Sequence, residues 1–356
     1  MKPVIDADAH VIENERTWEF MDETEKEFAP DPVESGKTGL MFWRIDDRVF
    51  PNTNIGLNTS ENSRELSDVG ARILHMDKLQ VDIQVIYPTL FLRPLTTRAE
   101  VESALCRGYN RWLADIFRQG QGRIRWIVLA PVRNMERSIE EINFGKSNGA
   151  CGVFLHGHEG DRLLSDSSLF PLYKEASRLN LPICIHAGTG NMNYYDLYGQ
   201  DVFSRFKLPA VGAFNNLVYK GVPSRFPDLR WCFVEISSQW IPYAINDLVI
   251  RTESEMAFRK KYSANTLASV RGNPRKMKGR DLLEENNIYV ACQTTDDLQY
   301  VLQCAGENNI IVGTDYGHAD YSNDIEAVSK LGESGSISAI VADKILRTNP
   351  SELYGL

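Results

Sequence analysis

The chain has 356 residues, 43% of them hydrophobic, and a formal net charge of −9. That is enough apolar material for one large core or two ordinary ones, and the acid excess excludes a general nucleic-acid binder, which needs a dominant basic face to neutralise phosphate. No apolar run is long enough to cross a bilayer and the first residues lead into a strand pattern, so a cytoplasmic protein with neither a membrane nor a nucleic-acid partner is expected.

The first element is the stretch Val4-Ile5-Asp6-Ala7-Asp8-Ala9-His10. Strand side chains alternate, so Asp6, Asp8 and His10 are predicted to share one face. Carboxylates and an imidazole one strand period apart suit a divalent metal, while a turn with a solvated histidine is the plain alternative. The polar segment that follows contains two alternating runs, 39–45 and 48–50, separated by Asp46-Asp47, which predicts an inserted β-hairpin. A helix over 69–79 then leads into a strand at 81–89, stopped by Pro88. A helix over 98–119 precedes a strand at 124–130, stopped by Pro131.

The rhythm repeats with a helix over 135–146 and a strand at 152–156, then a helix over 169–179 and a strand at 182–186. A long loop carries Gly188, Gly190, Tyr194 and Tyr195. A helix over 211–219, a strand at 231–235 and a helix over 241–256 lead to an irregular basic segment at about 257–285. Strands at 288–291 and 310–315 flank a helix over 298–304. Eight strands in alternation with helices predict an α/β fold, a (β/α)8 TIM barrel spanning 1–356 as a single domain with the segment at about 14–68 inserted; a doubly wound sheet is the alternative. Gly188-Thr189-Gly190 lacks the third glycine of a dinucleotide fingerprint. Of the six cysteines, Cys151, Cys184, Cys232 and Cys292 lie in or beside apolar runs and none forms a C-x-x-C pair, so buried thiols are expected.

Asp8 and His10, His156, His186, Glu235 and Asp315 all close predicted strands. In a barrel the carboxyl ends of the strands meet at one mouth, where active sites of this fold lie. One histidine closing a strand is ordinarily a hydrogen-bonded core residue, but several such endings are hard to explain by packing.

On the stretches Ile5–Glu13, Leu181–His186, Phe226-Pro227, Trp240-Ile241-Pro242, Gly313–His318 and Asn349–Tyr354, the chain resembles the amidohydrolase-related family over nearly its whole length. That group holds aminocarboxymuconate semialdehyde decarboxylase, hydroxybenzoate decarboxylases and assorted hydrolases. The resemblance implies one catalytic divalent metal on Asp8, His10, His186 and Asp315, zinc first, with manganese or iron as alternatives. The chain departs from the pattern at Asp8, where some decarboxylases have a histidine, and at 234–240, where a histidine motif is replaced and Glu235 is the nearest ionisable group.

A divalent cation with an open position lowers the pKa of water toward roughly 7, so the leading expectation is a metal-dependent hydrolase of a small aromatic or carboxylated substrate. In it Asp315 takes the water proton, and Glu235 or His158 protonates the leaving group. The alternative is a decarboxylase in which Asp315 protonates carbon as carbon dioxide leaves; a catalytically inactive binding barrel is the third. The expected catalytic set is Asp315, His186, Glu235 and His158. His156, Trp240, Tyr194, His318 and Phe91, with Phe42, Trp43 and Tyr195, are the expected substrate lining. Arg259, Lys260, Lys261, Arg271, Arg275, Lys276, Lys278 and Arg280 either steer an anion or form a solvated loop. A homodimer or higher homo-oligomer is expected, with the hairpin around Trp43 as a contact.

Overall fold

The eight apolar runs become eight parallel strands, seen in a computed structural model that describes residues 2–34, 36, 41–51, 54–262, 279–333 and 335–356. Numbering only the barrel strands, these are β1 (Ile5–Val11), β2 (Ile83–Pro88), β3 (Ile124–Leu129), β4 (Ala150–His156), β5 (Ile183–His186), β6 (Trp231–Val234), β7 (Ile288–Cys292) and β8 (Ile310–Val312). Each is hydrogen-bonded to the next in chain order. A parallel bridge from Ala9 to Tyr316 joins the last to the first, closing the barrel. Both faces of the strands are covered, which is why they read as apolar runs instead of clean alternations: every residue of β1, β4, β5, β6, β7 and β8 is buried.

Helices α1 (Val69–Lys78), α2 (Ala99–Gln119), α3 (Met135–Ser147), α4 (Phe170–Arg178), α5 (Leu208–Lys220), α6 (Ile241–Tyr262) and α7 (Leu298–Ala305) cover the barrel. In α2 the buried residues Val101, Leu105, Tyr109, Trp112 and Ile116 recur at three- and four-residue spacing, one stripe facing β3. Its polar exception is Asn110, whose amide donates to the Leu129 carbonyl and accepts from the Leu129 N–H at the end of β3. Side-chain caps start α1 and α3, where Asp68 and Asn134 accept from the backbone N–H three residues on.

The inserted hairpin is present as Met41–Ile45 and Arg48–Pro51, joined by a third antiparallel strand, Asp31–Glu34, that the sequence pattern did not show. Trp43 is 2% exposed and packs edge-on against Trp18, so its ring is not available to a second subunit; Met41 and Val49 are the exposed apolar side chains of that hairpin. The stretch expected to be a long loop after β5 is partly helical: Asn191 caps a helix Met192–Tyr198 that carries Tyr194 and Tyr195, and Phe203–Lys207 makes a π-helical turn leading into α5. The eighth strand stops at Val312, three residues short of Asp315. Residues 263–278 lie outside the described residues, and with them most of the basic segment expected to steer an anion. All six cysteines are free, and Cys151, Cys184, Cys232 and Cys292 are buried. No helix among the described residues is long and apolar enough to cross a membrane.

Candidate active site at the barrel mouth

The alternation expected in β1 breaks at a register shift between Asp6 and Ala9, opposite Gln84 and Ile86 of β2. Asp8 and His10 still point into the mouth, but the Asp6 carboxylate accepts from the Thr314 N–H (2.9 Å) and hydroxyl (2.6 Å) and from Gln84 Nε2 (2.8 Å). Asp6 is therefore a tie between β1 and the end of β8, and burial lifts its carboxyl to about 6 against those hydrogen bonds. Below it, buried Arg72 donates to Gln84 Oε1 and to the carbonyls of His10 and Ser63, and its guanidinium lies 3.6 Å from the centre of the Tyr316 ring. Arg72 reads in the sequence as an ordinary basic position on α1, so nothing there marks it as the residue that fixes the His10 backbone.

Asp8, His10, His186, Glu235, Asp315 and His318 converge. The possible ligand atoms of Asp8, His10 and His186 lie within 4.8 Å of one another, and so do those of His10, Glu235, Asp315 and His318. His10 Nε2 is 3.5 Å from Asp8 Oδ1, 3.6 Å from Glu235 Oε2 and 3.4 Å from Asp315 Oδ1. His186 Nε2 is 3.4 Å from both Asp8 Oδ1 and Glu235 Oε2. All these atoms are buried and without a hydrogen-bond partner, as are Asp315 Oδ2 and His318 Nδ1. Orphaned buried polar atoms are rare and costly, and six residues orphaned toward one another are a donor set that a divalent cation would complete.

The outer hydrogen bonds fix which nitrogen faces inward. His10 Nδ1 meets the Pro88 carbonyl at 2.9 Å and His186 Nδ1 meets the Ala187 carbonyl at 3.0 Å. A carbonyl only accepts, so both Nδ1 atoms carry hydrogen, leaving Nε2 free to act as a metal ligand. Thr89 gives its hydroxyl proton to the Val11 carbonyl and hence accepts from His318 Nε2. The lone pair of His318 Nδ1 then faces Asp315 Oδ1 at 2.7 Å, and two acceptors that close require a proton or cation between them.

The electrostatics agree. Burial pushes the His10 imidazole down, but the Asp8 and Glu235 carboxylates outweigh it and lift it to about 10. Burial works upward on Asp8, yet His186 and His10 hold it below the usual carboxylate range. Asp315 is pushed well up by burial and then by the charges of Glu235, Asp320 and Asp8; Glu235 also moves up, chiefly by burial. Burial, with the charges of His10, His186 and Arg93, drives His318 well down. In the absence of a cation, protons must offset the charge of the carboxylates.

Two of these residues are aimed by unusual backbone. Glu235 and Asp315 follow β6 and β8 with φ of 59° and 52°, a left-handed turn that costs non-glycine residues of order 1–3 kcal/mol and clusters at functional sites. Asp296 holds the first turn in place, accepting from the Ser237 and Ser238 hydroxyls and from the Ser238 N–H. Glu235 thus has neither an arginine nor a lysine partner among the described residues; it faces the imidazoles of His10 and His186. Glu13 accepts from the N–H groups of Thr89 (3.0 Å) and Leu90 (2.9 Å), anchoring the turn after β2 as a loop tie.

The other expected residues stand apart from this group. His156 ends β4, but its Nε2 meets the Phe91 carbonyl at 2.7 Å and its Nδ1 meets Glu159 Oε1 at 3.1 Å, so both nitrogens are engaged. His158, the expected alternative proton donor, sits on a short ribbon against the Tyr194 ring and outside the ligand group. Tyr194 spends its hydroxyl on the Ser204 carbonyl. Trp240 gives its indole N–H to the Ser237 carbonyl and packs on Phe214 and Phe233, at the edge of the core. Phe91 is 8% exposed and lines a small inner cavity with His156, Glu102 and Glu159.

The ligand group opens onto a cleft of about 360 Å³ lined by Thr89, Ala187, Glu235 and Asp320 and by three cations, Arg93, Arg205 and Lys207. These cations were not singled out in the sequence, because each lies on a loop whose place depends on the fold.

The amidohydrolase family model matches residues 5–356, and the chain belongs to that family. It is 22% identical over 302 residues to 2-amino-3-carboxymuconate-6-semialdehyde decarboxylase of Dictyostelium discoideum, a match covering 81% of this chain and 77% of the relative. Among solved structures, it is similar to an amidohydrolase of Mycobacterium avium subsp. paratuberculosis, with a TM-score of 0.75, 21% identity and 99% coverage of both chains. It is also similar to the 5-carboxyvanillate decarboxylase of Novosphingobium aromaticivorans, solved with manganese, with a TM-score of 0.70, 18% identity and coverage of 100% and 96%.

Proposed function

We propose that the protein is a metal-dependent decarboxylase of a small aromatic or unsaturated carboxylic acid. The observation that carries this reading is that Glu235, one of the orphaned carboxylates and imidazoles of the ligand group, shares a cleft with three cations, Arg93, Arg205 and Lys207. An acid suits such a cleft, and the named decarboxylases among the similar proteins move carbon dioxide loss ahead of the hydrolysis expected from the sequence.

Asp8, His10, His186 and Asp315 would hold the cation, with Glu235 and His318 beside them. A bound divalent cation would supply fixed positive charge that orients the substrate's oxygens and stabilises charge as the bond to the carboxylate breaks. Manganese, which the 5-carboxyvanillate decarboxylase contains, is the first metal to test, and zinc the second. Asp315, the acid of the group whose two oxygens both lack a partner, gives a proton to the carbon that loses its carboxylate. The electron pair of the broken C–C bond becomes the new C–H bond, carbon dioxide departs, and solvent returns one proton to Asp315. His318, held by Thr89, fixes the Asp315 oxygen it faces. Thr89 is fixed in turn by Val11 and Glu13.

The test is product analysis with manganese-loaded protein in oxygen-labelled water. Decarboxylation releases one carbon dioxide per acid consumed and leaves the organic product unlabelled. Label entering the organic product without carbon dioxide release would establish hydrolysis instead.

A further inference from the structure

Two chain segments meet at the cleft because of one glycine. Gly188, after β5, has φ of +134°, and a Cβ there would lie 2.3 Å from the Leu92 carbonyl oxygen. Its N–H donates to the Phe206 carbonyl at 2.8 Å. The Leu92-Arg93 segment after β2 is thereby pressed against the loop that leads to the π-helical turn Phe203–Lys207. Such turns often mark functional sites, and this one carries Arg205 and Lys207.

The arginines are held but not neutralised. Arg205 lies 3.7 Å from the Tyr195 ring centre and donates to the Tyr195 hydroxyl and the Gly199 carbonyl. Arg93 donates to the Pro51 carbonyl. The Nε atoms of both are buried and unpartnered. Neither arginine, nor Lys207, makes an ion pair among the described residues. Of the two acids that line the cleft, Asp320 accepts from Asn54 Nδ2 and the Ser322 N–H, and Glu235 faces the imidazoles of His10 and His186. Burial, followed by the Arg93 charge after the opposing influence of Tyr195, holds the Arg205 guanidinium below its usual range. Unpaired, partly buried cations facing one cleft are costly until an anion joins them.

We infer that the substrate is a dicarboxylate, with the carboxylate that survives the reaction bound between Arg93 and Arg205 and neutralised further by Lys207. The inference rests on the decarboxylase reading only for which end of the acid faces the ligand group. Arginine forks match carboxylate oxygens, and charge-assisted hydrogen bonds of this kind favour a dianion over the matched monoanion by about tenfold to a hundredfold.

Calorimetric titration of manganese-loaded protein with benzene-1,3-dicarboxylate and with benzoate tests it. The dianion should bind at least about tenfold tighter, and the ratio should fall to near one in the Arg93→Gln/Arg205→Gln double variant, with metal content and circular dichroism unchanged. A wild-type ratio near one, or a ratio that survives in the double variant, overturns the inference. Should the double variant not fold, a wild-type ratio that collapses from about 0.05 to about 0.5 M salt supports the clamp, and a constant ratio overturns it. The two readings separate cleanly. Carbon dioxide released with equal kcat/KM from mono- and dicarboxylates keeps the decarboxylase and removes the clamp; an arginine-dependent binding ratio in a protein that releases no carbon dioxide keeps the clamp and removes the decarboxylase.

Discussion

Two clusters of histidines and carboxylates stand at the same barrel mouth, built from the same residue types on neighbouring strand ends. At β1, β5, β6 and β8, the inward atoms of Asp8, His10, His186, Glu235 and Asp315 face one another without partners. At β4, His156 is saturated by Phe91 and Glu159, while Glu102 nearby accepts from the Arg133 N–H. Both clusters bury charge, but in the first the inward atoms lack partners, whereas in the second His156 and Glu102 have them. Residue type and strand position therefore do not separate a cluster left open to a ligand from one already satisfied; the fate of each polar atom does.

The largest effect that can break this contrast is at Asp315. Asp315→Asn should lower carbon dioxide release by about 10²–10⁴-fold, the span of a lost proton-transfer group, with the circular dichroism spectrum kept. Activity near wild type would remove Asp315 from the chemistry. At the second cluster the readout is stability. Burial, ahead of the Glu159 charge and against the Arg133 hydrogen bond, lifts the Glu102 carboxyl from 4.5 to about 7. A raised folded-state pKa contributes stability that is complete below pH 4.5 and lost as pH rises through about 7. Wild type should therefore lose stability relative to Glu102→Gln between those limits in urea titrations. Because the Glu102 side chain keeps 21% of its surface in solvent, the loss is expected at about 2 kcal/mol, less than the full shift implies; a gap that stays flat with pH would show that the acid is not perturbed. The smallest effect is at the paired histidine. His156→Gln should change kcat/KM by less than about threefold and leave metal stoichiometry intact, whereas His186→Gln should weaken metal binding about 10–100-fold or more. Equal losses in the two variants would dissolve the contrast.

The barrel was legible because its signals are local: apolar runs, proline stops after β2 and β3, and helical periods between them. The same logic brought Asp8, His10, His156, His186, Glu235 and Asp315 to one mouth as residues closing strands that must meet, while the choice of Asp8, His10, His186 and Asp315 among them as metal ligands came from the family resemblance. Glu235 was found at the right strand end but its aim was not, since that depends on a left-handed φ that glutamate does not advertise. The tie from Asp6 to Thr314 and the seating of Arg72 belong to pairings far apart in sequence, invisible to any window. The partners of the loop aromatics were not legible for the opposite reason: a loop position in the pattern says nothing of whether the Trp240 ring finds Phe214 or the Tyr194 hydroxyl finds Ser204. Arg93, Arg205 and Lys207 were passed over in favour of the more conspicuous basic segment because their shared cleft is created by the close approach at Gly188.

The seam between β1 and β8 has a further consequence for how the molecule comes into being. Asp6 and Thr314 are 308 residues apart, and the bonds from the Asp315 N–H to the Asp8 carbonyl and from the His10 N–H to the Tyr316 carbonyl cross the same gap. Contacts of such separation carry a large loop-closure cost and form late. During synthesis Asp8 and His10 emerge from the ribosome long before Asp315 exists, so a growing chain cannot assemble the complete donor set. On the reading of these residues as metal ligands, capture by the full site would be timed to the closing of the barrel, so that a filled site would report that the fold is complete.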